Sequence, residues 1–212
     1  MGALASTDLV HPAGTVGEHG SPSVDPEERF VVHGARWHVY VGLRDSLDEA
    51  GSHLRLTYLE GDLELMSPSS DHEQAKALLG RLLEAWCADA GIDLFALGST
   101  TLRDERVARG LEADESYCVG RHAPLPDLAI EVVLSAWRVE KLEVYRGLGV
   151  PEVWVFRDGR ITVQRLHDDG YRPQIDSVLF PTLDLALLAR FVVPGTSLAA
   201  AVRGYRQAQA GG

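Results

Sequence analysis

The run Leu128-Ala129-Ile130-Glu131-Val132-Val133-Leu134 decides how this chain folds. It is apolar and β-branched on both alternating faces, the pattern of a strand covered on both sides inside a sheet. Glu131 interrupts it. A carboxylate in such a strand loses hydration worth several kcal/mol unless a cation, a metal or a hydrogen-bond network compensates. A partner for Glu131 is therefore expected, and the search for it runs outward along the chain.

Upstream, Leu54, Leu56 and Tyr58 alternate with polar residues, and Glu60-Gly61-Asp62 turns the chain into Leu63-Glu64-Leu65-Met66, a β-hairpin pattern. Ser67-Pro68-Ser69-Ser70 precedes a helix to about Ala90, with Ser70 and Glu73 spaced as a capping box and Gly91 as the stop. Strands are expected over Leu94 to Leu102, Asp114 to Val119 and Leu128 to Ser135. A helix is expected over Ala136 to Leu148, then a hairpin through Asp158-Gly159 and two C-terminal helices. This order predicts a mixed α/β protein, a central sheet flanked by helices with a β-hairpin region on its N-terminal side.

Two features supply partners for Glu131. Glu112-Ala113-Asp114-Glu115 precedes the strand Ser116 to Val119, and the loop Gly120 to Pro126 joins that strand to the one holding Glu131. Pairing of the two strands would set Asp114 beside Glu131, although the same residues also read as a solvated acidic loop. At about 100° per residue, Lys141 falls inside the apolar stripe Trp137, Val144, Tyr145 and Leu148 of the following helix. A lysine there snorkels to an edge or reaches a buried anion, and a structural Lys141–Glu131 salt bridge is the plain alternative to chemistry. His72 sits near the start of the helix after Ser70, where a packed or capping histidine is the common case. An Asp, a Glu and a Lys form the set that holds a hard cation such as Mg²⁺ and stabilises charge on a phosphate.

The 212 residues are 45% hydrophobic, enough for a full core in one domain spanning 26–212, with residues 1–25 a Gly-, Pro-, Ser- and Ala-rich tail that contains His11 and His19. No apolar run approaches the ~20 residues that span a membrane. The unpatterned Cys87 and Cys118 suit a reducing cytoplasm. The net charge of −11 disfavours broad, nonspecific nucleic-acid binding but leaves room for a nuclease whose carboxylates hold metal. Neither a Gly-x-Ser-x-Gly elbow nor a phosphate-cradling glycine loop is present, which sets aside the serine hydrolases and the common nucleotide-binding classes.

Four stretches resemble one family. Pro126-Asp127-Leu128-Ala129-Ile130-Glu131-Val132-Val133 and Lys141-Leu142-Glu143-Val144-Tyr145-Arg146-Gly147-Leu148-Gly149-Val150-Pro151-Glu152-Val153-Trp154 are similar to the Uma-two family of restriction-endonuclease-like proteins. So are Glu60 to Pro68 followed by His72, and Glu112 to Tyr117, and together the segments cover roughly residues 50 to 190 in the family's order. The resemblance implies the PD-(D/E)XK fold and a metal-dependent DNA endonuclease using Mg²⁺ or Mn²⁺, and cutting both strands makes a homodimer plausible. It implies Asp114 and Glu131 as metal carboxylates, with Asp127 an alternative to Asp114, and His72 and Glu64 as supporting residues. Val133 stands where the general pattern has a lysine, so Lys141 would serve in its place from the following helix. A non-catalytic module that keeps the same residues as a structural ion network is the competing reading.

Overall fold

The computed structural model describes residues 27–211, so the expected N-terminal tail lies outside the described residues. Six strands form one sheet in the order β11-β10-β9-β8-β7-β4: β4 (Leu94–Ala96), β7 (Glu115–Val119), β8 (Leu128–Val132), β9 (Glu152–Arg157), β10 (Arg160–His167) and β11 (Gly170–Gln174). Its β8 and β9 run parallel and its other pairs antiparallel, so the sheet is mixed as expected. The parallel step requires a crossover, and α3 (Lys141–Leu148) supplies it.

Every residue of β8 is buried. Leu128, Ile130 and Val132 face one core, packed by α2 (Ser70–Ala90), α4 (Leu185–Ala189) and α5 (Leu198–Ala210). Ala129 and Val133 face a second core with Val144 and Tyr145 of α3. Alternation along the strand therefore places Glu131 on the α3 side.

The expected hairpin is present as β2 (Arg55–Leu59) and β3 (Asp62–Ser67). It belongs to a second, antiparallel sheet of order β1-β3-β2-β6-β5, with β1 (Glu28–Val32), β5 (Thr101–Asp104) and β6 (Arg109–Glu112), backed by α1 (Trp37–Glu49). These flanking strands are short and only partly apolar, so their sequences carry little period-2 signal. Helix α3 lies between the sheets, contributing Val144 and Tyr145 to a core that also contains Leu102 of β5 and Leu111 of β6.

Two helix starts differ from expectation. Helix α2 is capped by Ser69, not Ser70: its hydroxyl accepts from His72 N at 3.2 Å. Helix α3 begins at Lys141 rather than near Ala136, capped by Glu140. The reason is tertiary. Glu64 of β3 accepts hydrogen bonds from the amides of Arg138 and Val139 at 2.6 and 2.9 Å, which holds this segment out of helical geometry. At the far end Gly149 takes φ 80°, a left-handed stop that glycine adopts without strain.

Candidate functional site

Asp114 and Glu131 meet because β7 and β8 pair antiparallel with Glu115 opposite Ile130. Continued by one residue, that register sets Asp114 opposite Glu131. Both side chains are completely buried. Asp114 Oδ2 accepts from Val132 N at 2.8 Å, and Asp114 Oδ1 has no hydrogen-bond partner among the described residues.

Lys141 donates from Nζ to Glu131 Oε2 at 2.6 Å, and the Tyr145 hydroxyl donates to Glu131 Oε1. Lys141 and Tyr145 are four residues apart on α3, hence on one face. Lys141 reaches the strand from the first residue of α3. Burial raises the Glu131 carboxyl, Lys141 opposes this, and Asp114 adds to it. Burial also works against the Lys141 ammonium, but Glu131 and Asp114 outweigh it and keep the nitrogen protonated. Burial alone would raise Asp114; His72 and Lys141 more than offset it and hold that carboxyl below its usual range.

His72, fully buried at the start of α2, points Nε2 toward Asp114 Oδ2 at 3.2 Å and toward Glu27 Oε1 at 3.8 Å. Its Nδ1 lies 3.6 Å from Glu73 Oε1. Burial disfavours the imidazolium, but Asp114 and Glu73 overcome this and raise its pKa to about 9. Neither ring nitrogen makes a well-formed hydrogen bond among the described residues, so these carboxylates favour the imidazolium mainly through charge.

Glu64, itself buried, accepts from Arg29 of β1 as well as from the two loop amides. Arg29 Nε also donates to Ser135 Oγ at 2.8 Å, and Ser135 Oγ donates to Glu27. Asp127 goes elsewhere. It accepts from Val119 N at 2.9 Å and ties the loop between β7 and β8, about 13 Å along the strand from Glu131.

The structure therefore brings together Asp114, Glu131, Lys141 and His72, while Glu64 holds the segment that leads to Lys141 and Asp127 lies apart. Tyr145, Glu27 and Arg29 were not foreseen. For Tyr145 a signal existed, since it follows Lys141 by one helical turn within the same stripe. Glu27 and Arg29 precede the first recognisable element and carry no local signal.

Among the described residues, no three His, Cys, Asp or Glu side chains already converge as a metal-binding group. Two carboxylates nonetheless suffice for Mg²⁺, which keeps much of its water and takes one or two carboxylate ligands. Asp114 Oδ1, a buried acceptor without a donor, fits a cation. Both Glu131 oxygens are engaged by Lys141 and Tyr145, so a cation would share that carboxylate with them.

Two sheets of five and six strands flanked by helices are consistent with a restriction-endonuclease-like fold. A family model described as "Uma2: Putative restriction endonuclease" matches residues 44–201, most of the chain. The chain belongs to the Uma2 family. No curated protein matches it. Membership suggests nuclease activity, and restriction-endonuclease-like proteins generally use divalent metals. No helix among the described residues is long and apolar enough to cross a membrane.

Proposed function

We propose that the protein is a Mg²⁺- or Mn²⁺-dependent DNA endonuclease whose site is built on Asp114, Glu131 and Lys141. The observation that carries this reading is the Asp114–Glu131 juxtaposition, with Asp114 Oδ1 left without a donor in a buried setting. Asp114 and Glu131 would hold the metal. When bound, such an ion neutralises charge on the phosphate and makes its water a better nucleophile.

The chain's own groups do the remaining work. Lys141, already protonated at Glu131, places a positive charge where negative charge develops on the phosphoryl oxygens. Tyr145 anchors Glu131 Oε1 and limits its rotation. His72 keeps Asp114 ionised and oriented. Cutting both strands of a duplex needs two such sites, which a homodimer supplies. The free thiols Cys87 and Cys118 suit action in the cytoplasm.

A second reading has its own support. Glu131 is satisfied on both oxygens and the cluster is enclosed, as a purely structural ion network would be. Calorimetric titration of Mn²⁺ into chelator-treated protein separates the two. The nuclease reading expects saturable binding that Asp114→Ala abolishes. Absence of binding supports the structural network instead.

A further inference from the structure

Beside the carboxylates lies a recess of about 270 Å³ that the mechanism above does not use. Its position follows from register. Glu131 pairs with Val155 across β8 and β9, and Val155 pairs with Thr162 across β9 and β10. Paired side chains share a face, so Glu131, Val155 and Thr162 form a row with steps of about 4.8 Å. Val155 and Thr162 line the recess, which therefore starts one strand away from Glu131 on the same face of the sheet.

Trp137 forms a wall. It belongs to the irregular segment between Glu131 and Lys141, which Glu64 pins by its amides at Arg138 and Val139. The indole Nε1 is buried and has no hydrogen-bond partner among the described residues. Arg157 and Gln164 add side chains that carry donors, Glu140 adds an acceptor, and Leu142 adds apolar surface. The volume equals that of roughly nine water molecules at about 30 Å³ each. That is too large for an ion and large enough for a small heterocycle.

We infer that this recess is a nucleobase pocket, taking one unpaired DNA base next to the scissile phosphate, stacked on Trp137, with its edge bound by Arg157 and Gln164. The inference rests on the nuclease reading for its substrate. An aromatic face holds any base by stacking, and the polar tips supply edge contacts. A base paired within a duplex enters such a recess only by flipping out, at the cost of its pairing and stacking, so the pocket favours single-stranded DNA over duplex.

The test is binding without cleavage. Fluorescence anisotropy of a labelled single-stranded oligonucleotide is measured with chelator at low salt, using the full chain. The wild type should bind it more tightly than the matching duplex. Trp137→Ala should weaken binding roughly tenfold or more, Trp137→Phe should keep most of it, and Arg157→Ala should weaken it as well. Melting curves of the variants report folding, and Trp137→Phe keeps the test valid if Trp137→Ala unfolds. No binding by the wild type, a preference for duplex, or equal affinity of wild type and folded Trp137→Ala would overturn the pocket. Because metal is absent, loss of the nuclease reading would show separately, as failure of Mg²⁺-dependent cutting with base binding intact.

Discussion

Lys141 Nζ lies 2.6 Å from Glu131 Oε2, and neither group has appreciable contact with solvent. Removing one partner of a buried ion pair strands the other, at a typical cost of 3–5 kcal/mol. Lys141→Met should therefore lose about 3 kcal/mol at pH 7 in chemical denaturation. Burial already raises the Glu131 carboxyl, and loss of Lys141 removes the main opposing charge. The folded variant then binds a proton more tightly than its unfolded chain, so its stability should recover as pH falls toward 5. The double variant Lys141→Met/Glu131→Leu should regain most of the loss at neutral pH. An equally unstable double variant would contradict the pair as the cause.

Tyr145 completes the same carboxylate. Tyr145→Phe removes a hydrogen bond to a charged group, worth about 1.5–3 kcal/mol, with little change in volume. The melting temperature should fall accordingly. Mn²⁺ binding should persist, because Glu131 Oε1 is then released from a competitor.

Glu64 acts through the loop rather than on the carboxylates. Its side chain receives Arg29 and the amides of Arg138 and Val139. Glu64→Ala should destabilise the protein by about 3 kcal/mol, as a buried charged network loses its acceptor. Hydrogen exchange supplies the specific readout: Arg138 and Val139 amides should exchange faster, while β8 amides change less.

The His72 imidazole faces Asp114 from the start of β7, Glu73 from its own helix and Glu27 from the approach to β1. Its pKa is raised from 6.5 to about 9. A histidine with a raised folded pKa contributes stability that is fully present below pH 6.5 and lost as pH climbs through 9. In chelator the melting temperature should fall across that window. His72→Gln should flatten the decline, since a neutral amide has no proton to lose. An unchanged slope in the variant would show that another group titrates there.

Much of this arrangement was legible from residue order. A carboxylate in a doubly covered strand demanded a partner, and the short loop to the preceding strand made Asp114 a candidate. The mixed sheet followed from the spacing of the strands, and Lys141 stood out inside an apolar stripe. The start of α3 was not legible, because a helical pattern from Ala136 was overridden by Glu64, which lies more than seventy residues upstream and takes the Arg138 and Val139 amides. The second sheet and the Glu27–Arg29 contacts were hidden for a related reason. Strands of four or five residues leave little periodic trace, and long-range ion pairs leave none at all.

The central claim is that Asp114 and Glu131 form the site of metal-dependent DNA cleavage. The most direct measurement is nicking of supercoiled plasmid by the purified protein, with Mg²⁺ or Mn²⁺ and with chelator, beside a Glu131→Ala variant shown to be folded by circular dichroism. The expected result is cleavage by the wild type with metal, none with chelator, and none by Glu131→Ala. Cleavage by folded Glu131→Ala at the wild-type rate would contradict the claim.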